Sequence, residues 1–174
     1  KCYEIPEGSR TSKGMNIANL LPITAEEKVT SMIRVPEFDE EKYLVMVTRN
    51  GIIKRTLLSA YNSARKGGLI AIELDEGDEL VSVRETDGNQ KILIATHDGM
   101  AAVFDENDVR PMGRAAVGVR GIRLREGDYV VGAAKAVPGK TVLSITERGY
   151  GKRTAVEEYR ITARGGLGIR NYMV

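Results

Sequence analysis

Tryptophan is absent from this sequence, phenylalanine occurs twice, and cysteine and histidine occur once each. A lone cysteine, Cys2, can form no internal disulfide, which fits a reducing compartment. One cysteine and one histidine offer no Cys/His cluster for zinc. No apolar run approaches the ~18 residues that a membrane-spanning helix needs, and no signal peptide is visible. An excess of one charge is also lacking: 26 Lys and Arg stand against 24 Asp and Glu, a formal net charge of +2. The total therefore says nothing about a partner, and the placement of the charges has to decide that question. What is plentiful is glycine, 19 of 174 residues, and small aliphatic side chains, with 42% of the chain apolar. Tight turns around an aliphatic core are expected.

One nine-residue stretch is written three times. "TRNGIIKRT" (48–56), "THDGMAAVF" (96–104) and "TERGYGKRT" (146–154) place their turn glycines at Gly51, Gly99 and Gly149, 48 and 50 residues apart. Gly68, Gly118 and Gly168 keep a step of 50, and "DEGDELV" (75–81) returns as "REGDYVV" (125–131). The start, "IPEGSRTSKG" (5–14), aligns with "VRPMGRAAVG" (109–118) and "YRITARGGLG" (159–168), and "YNSARKGG" (61–68) is a shortened form. The chain thus reads as 1–174 of one repeat array: a partial unit at 1–35, units at 42–87 and 91–137, and a partial unit at 140–174. Its first and last residues fall in strand-like stretches, so a fragment of a longer protein is expected. A fixed period of this size marks a solenoid, propeller or array.

Each unit reads as four strands, at 42–48, 52–58, 69–74 and 79–86 in the first. Asn50-Gly51 and Asp98-Gly99 fit type I′ hairpin turns, in which both positions take positive φ. No stretch keeps helical periodicity beyond about two turns. Short strands in a repeating set predict an all-β, propeller-like architecture, with neighbouring blades covering one another's apolar faces.

Charge alternates in blocks with the same period. Residues 42–72 hold Lys42, Arg49, Lys54, Arg55, Arg65 and Lys66 and no acid, whereas 73–87 hold seven acids and one base. Residues 109–125 carry Arg110, Arg114, Arg120, Arg123 and Arg125 without an acid, and 159–174 carry Arg160, Arg164 and Arg170. Arg10 and Lys13 fall in an acid-free stretch, and Arg148, Lys152 and Arg153 flank the last hairpin turn. In stacked blades such blocks merge into a basic band, the footprint of a polyanion. Arg10, Arg114 and Arg164 each precede a glycine by four residues, with Arg65 in the matching shortened loop. Arginine's donor fork beside glycine-flanked backbone suits phosphate oxygens. The opposing reading is that these arginines pair with acids of the neighbouring blade.

Nothing has the look of a catalytic centre. His97 falls in a hairpin turn, "GGLGIR" lacks the Lys-Ser/Thr ending of a P-loop, and the acid pairs Glu40-Glu41 and Glu157-Glu158 are adjacent rather than facing. Tyr61 and Tyr159 share a repeat column with Ile5 and Val109, which fits packing. No catalytic or metal-binding residue is assigned.

The runs "GYGKRTAVEEY", "VRGIRLREGD" and "NLLPITAEEKV" resemble the C-terminal domain of DNA gyrase A, and the resemblance spans the chain. It implies a β-pinwheel, an arc of four-stranded blades that exchange strands with their neighbours. It further implies that duplex DNA bends around a basic outer rim, so that ATP-driven strand passage by the whole enzyme introduces negative supercoils. The implied partners are double-stranded DNA, read largely without regard to sequence, the rest of the gyrase A polypeptide, and gyrase B. No cofactor is implied for this stretch; ATP and magnesium belong elsewhere in the parent enzyme. The implied location is the bacterial cytoplasm, at the nucleoid and not at a membrane. The DNA contacts expected are Arg10, Lys13, Arg49, Lys54, Arg55, Arg65, Lys66, Arg110, Arg114, Arg120, Arg148, Lys152, Arg153, Arg164 and Arg170. The family's Gln-Arg-Arg-Gly-Gly-x-Gly box has only degenerate counterparts, "SRTSKGM" (9–15), "SARKGGL" (63–69) and "TARGGLG" (162–168), so bending without a completed wrap is expected. The alternatives are the equivalent domain of topoisomerase IV and a kelch-like protein-binding propeller.

Overall fold

A computed structural model describes residues 2–24, 26–63 and 67–173. The chain divides into two compact units, Lys1–Val29 with Ser63–Leu69, and Thr30–Asn62 with Ile70–Val174. Among the described residues the first unit has no strand; it holds two short 3-10 turns, Cys2–Glu4 and Ile17–Asn19. Asn16 caps the second of these by accepting the Ala18 N–H at 3.0 Å.

The second unit is all-β apart from short 3-10 turns. Its strands are β1 (Tyr43–Thr48), β2 (Ile52–Leu57), β3 (Leu80–Thr86), β4 (Lys91–Thr96), β5 (Met100–Asp105), β6 (Val119–Arg120), β7 (Val130–Lys135), β8 (Thr141–Ile145), β9 (Gly151–Ala155) and β10 (Ile169–Arg170). They form two antiparallel four-stranded sheets, ordered β3-β1-β2-β6 and β10-β5-β4-β7, and one hairpin, β8-β9. The fourth strand of each complete sheet belongs to the next repeat. β6, from the second repeat, pairs with β2 of the first (Ile53 opposite Val119), and β10, from the third, pairs with β5 of the second (Ala101 opposite Ile169).

This exchange corrects the expected strand at 69–74. Residues at that repeat position become strands where they find the second strand of the preceding repeat; among the described residues, 69–74 find none and carry no strand. Ala71 and Ile72 instead pack beside Leu44, Met46, Leu58 and Val83.

The hairpin turns also differ from expectation. Gly51 donates its N–H to Thr48 O at 3.1 Å, and Gly99 repeats the bond to Thr96 O. Gly51 has φ +83°, while among the described residues none other than glycine has positive φ. The turn is therefore a three-residue connection closed by a left-handed glycine rather than type I′. Its glycine carbonyl then receives two N–H groups of the following repeat, Gly121 at 2.8 Å and Ile122 at 3.3 Å.

Alternation along the strands builds one core between each pair of sheets. Val45, Val47 and Ile53 of the first sheet meet Ile92, Ile94, Ala102 and Phe104 of the second. The opposite face of the second sheet, Leu93, Ala101 and Val103, packs with Tyr159, Val142 and Val156 of the third repeat. Phe104 is wholly buried; aliphatics fill most of the rest, with Tyr159 in the second cluster and Phe38 and Tyr61 beside the third. The packing column also appears: Val109 and Tyr159 are buried and Tyr61 is half-buried, whereas Ile5 is 60% exposed.

Candidate nucleic-acid interface

The basic loop that precedes β6 runs along the edge of β2. Met112 donates its N–H to Arg55 O at 2.8 Å, and β6 then pairs with Ile52 and Ile53 near the hairpin turn. The loop before β10 repeats the course, with Thr162 donating to Val103 O at 2.7 Å. The close approach needs glycine: a Cβ on Gly118 would lie 2.6 Å from Ile53 O. Acids occupy another place. Asp78 and Asp128 stand just before β3 and β7, and each accepts an N–H of a hairpin turn, from Asn50 at 2.9 Å and from Asp98 at 2.9 Å. Bases thus flank the sheet edge formed by β6 and β10, and carboxylates cap the hairpin turns.

The loop arginines follow one rule. Arg164 Nη1 donates to Arg120 O at 2.6 Å and its Nε to Asp108 O at 3.0 Å. Arg114 Nη1 donates to Ile70 O at 3.4 Å. Ile70 and Arg120 hold the same repeat position, two residues beyond Gly68 and Gly118. Each arginine is therefore strapped to a carbonyl of the preceding repeat rather than to a carboxylate. The guanidinium is oriented, its charge is not neutralised, and donors remain free because arginine has five N–H groups. Both residues are half-buried. Arg110 and Arg160 on these loops, Arg120 and Arg170 in β6 and β10, and Arg123 and Arg125 just beyond β6 are exposed. At the junction of the second and third repeats, Arg123 N–H donates to Gly166 O and Gly165 N–H to Gly121 O, both at 2.8 Å.

The other expected contacts separate into groups. Arg148, Lys152 and Arg153 are exposed in the last hairpin, and Lys152 shares a shallow cleft with Arg170, Asn171 and Tyr172. Arg49 is half-buried, its guanidinium 3.6 Å above the Tyr129 ring. Arg10 and Lys13 are exposed in the first unit. Arg65 and Lys66 lie outside the described residues.

Lys54 and Arg55 are corrected by their placement. Lys54 has no exposed surface, and its ammonium donates to Ala71 O at 2.6 Å and to Arg114 O. Burial, with Arg114 nearby, lowers its pKa to about 8, so the ammonium is still mostly charged at neutral pH. Arg55 is 4% exposed. It donates to Glu106 O and Asn107 Oδ1, both at 2.8 Å, pairs with the Glu106 carboxylate at 3.6 Å and lies 4.0 Å from the Tyr43 ring centroid. Both cations face neighbouring protein, and neither presents its charge outward.

Sequence reasoning missed Glu106. It is wholly buried, accepts the Thr86 hydroxyl at 2.5 Å and the Gln90 N–H at 2.7 Å, and its repeat counterpart Val156 is apolar. His97, Asp98 and Asp128 bring potential ligand atoms close together. One Asp128 oxygen, however, already accepts the N–H groups of Asp98 and Tyr129, as Asp78 does for Asn50 and Glu79 in the first repeat. The cluster serves the turn. Among the described residues no helix is long and apolar enough to cross a membrane.

Comparison with known proteins agrees with this architecture. A family model described as DNA gyrase C-terminal domain, beta-propeller, matches residues 1–36, 42–87, 90–136 and 140–173. The chain is 51% identical over 174 residues to the DNA gyrase A polypeptide of Clostridium acetobutylicum, covering 100% of the chain and 21% of that relative. It thus spans about a fifth of the length of the curated relatives it matches. Among solved structures, it is similar to the C-terminal domain of DNA topoisomerase IV, with TM-score 0.89 and 34% identity over 97% of this chain and 53% of that one. It is also similar to a DNA gyrase A C-terminal domain, with TM-score 0.80 and 28% identity over 91% of this chain and 53% of that one.

Proposed function

The chain belongs to the DNA gyrase C-terminal domain family, and on that footing we propose that it is a non-catalytic module that binds and bends duplex DNA for a bacterial type II topoisomerase. The observation that carries this reading is the pair of arginine-bearing loops along β6 and β10, repeated on successive sheets and strapped to carbonyls. Phosphates are the natural partner of such a track, so binding is largely independent of sequence. Smoothly bending a 20–30 bp site costs on the order of 1–6 kcal/mol, which several arginines along the loops offset and one does not. In the parent enzyme the bent duplex is presented for ATP- and magnesium-dependent strand passage, carried out by the rest of gyrase A together with gyrase B, in the bacterial cytoplasm at the nucleoid. The 44–51% identity to named gyrase A polypeptides over nearly the whole chain supports gyrase as the parent; topoisomerase IV, whose C-terminal domain is the more similar of the two solved structures, is the second reading.

The test is the salt dependence of DNA binding. If about eight phosphates are neutralised, affinity falls roughly 10⁴-fold between 50 and 200 mM salt. The triple variant R110E/R120E/R170E is expected to weaken binding and flatten that slope while leaving thermal stability close to the parent's, because these side chains are exposed. An unchanged slope contradicts the reading.

A further inference from the structure

Two cations act on the loop before β6, and only one of them is open to a ligand. Arg114 is half-buried, with its guanidinium bonded to Ile70 O. Lys54 has no exposed surface, and its ammonium bridges Ala71 O and the main-chain oxygen of Arg114 itself. These bonds close a ring through Lys54, Ala71, Ile70 and Arg114. The Tyr61 hydroxyl also donates to Ala71 O, at 3.1 Å, and Glu73 N–H donates to Ala116 O at 3.4 Å. The loop before β10 is fastened differently. The repeat counterpart of Lys54 there is Ala102, which has no side-chain donor to offer. Arg164 straps itself instead, with bonds to carbonyls at 2.6 and 3.0 Å, against the single bond at 3.4 Å that Arg114 makes. The lysine thus stands where the arginine is weakly strapped, and alanine stands where the arginine is strapped well.

We infer that Lys54 is the positioning residue for Arg114: without touching DNA, its ammonium seats the loop that aims this guanidinium at phosphate. The inference rests on the DNA-binding reading above, and it makes binding proton-linked. Burial, with Arg114 nearby, holds the Lys54 pKa down to about 8. A phosphate on Arg114 offsets that guanidinium's repulsion and brings a negative charge, so the Lys54 pKa rises on binding. A group whose pKa is raised in the complex supports binding below its free pKa, and that support is lost as pH climbs past it. A rise of one unit lowers affinity about sixfold between pH 7.5 and 9.5. Among the described residues, Arg114 is the charge that acts on this ammonium, and a guanidinium does not titrate in that range. Tyr61, which shares Ala71 O, has its pKa pushed up by burial; Arg55 alternates to the other face of β2 against Glu106; and Glu73 is exposed. Stability runs the opposite way, because losing the proton removes a buried charge. A residue that only held the fold together would move stability and binding in the same direction.

The test measures the affinity of the full chain for a duplex of about 30 bp at pH 7.5 and 9.5, at one low salt concentration. Amide hydrogen exchange of the free protein, read by mass spectrometry at pH 7.5, accompanies it. The parent is expected to lose about sixfold in affinity at the higher pH. R114A should show no such loss, because the phosphate beside Lys54 goes with the guanidinium. At pH 7.5, K54M should bind several-fold more weakly than the parent, yet cost nothing further when added to R114A. In K54M the segment 109–118 should exchange faster, while 159–168 exchanges as in the parent. The inference is overturned if the parent binds equally at both pH values or if R114A keeps the fall. It is equally overturned if K54M binds like the parent or loosens both segments alike. The comparison of parent with R114A uses no Lys54 variant, so it decides the matter even if K54M does not fold. Each of these contrary results leaves the DNA reading intact, whereas a parent with no salt-dependent binding removes both.

Discussion

Glu106 and Arg55 show how far a residue's role departs from its formal charge. The pair is enclosed by hydrogen bonds to Thr86, Gln90 and Asn107, so removing one charge strands the other. E106Q is expected to cost about 3–5 kcal/mol in chemical denaturation. The double variant R55L/E106L should recover much of that loss, because it removes both charges; equal destabilisation by the single and double changes would contradict the pairing. Lys54 supplies a pH test. Its folded pKa, about 8, lies below its ordinary 10.5. Between those values the unfolded chain binds more protons, so the Lys54 contribution to stability rises as pH climbs from about 8 toward about 10.5 and is flat below. Urea midpoints measured at pH 7.5 and 9.5 should show this rise in the parent and not in K54M; parallel behaviour of the two proteins would refute it. Neither assignment was legible in the sequence. β2 is covered on both faces, so Ile53, Lys54, Arg55 and Thr56 are all buried and no alternation marks which cations turn inward.

At the scale of the element, β6 and β10 are two residues long and exist because the preceding repeat offers an edge. The repeat pattern revealed a strand at that position, and the family resemblance implied its exchange with the neighbouring blade; periodicity within one unit by itself carries no record of which sheet a strand joins. The hairpins were placed correctly by Asn-Gly and Asp-Gly, yet the turn type was not, because one positive-φ glycine and a Thr48 carbonyl suffice. G118A puts a Cβ against Ile53 O at a φ of +118°, and should destabilise by more than about 1 kcal/mol. The straps give a graded prediction. Arg164 makes two bonds to carbonyls and Arg114 one long one, so R164A should cost about 1–2 kcal/mol and R114A less. Thermal denaturation that ranks them the other way would remove the strap role, and DNA affinity should fall for both.

For the molecule as a whole, the repeat was the most readable feature. Glycine spacing and the charge blocks, taken together, located the loops that now line the β6 and β10 edges, and the acidic turns that cap the hairpins. Which cations are exposed followed only from packing between repeats, which Arg49, Lys54 and Arg55 report and a charge count does not. Deleting this region from the parent enzyme should abolish negative supercoiling and leave relaxation intact; retained supercoiling would argue against a wrapping role. The most direct measurement is the end-to-end distance of a duplex of about 30 bp, labelled at both ends for energy transfer and titrated with the chain at low salt. The ends are expected to draw together as the protein binds, and to return to their free separation in the R110E/R120E/R170E variant or at high salt. A duplex that binds with equal affinity and stays straight would contradict the proposed bending track.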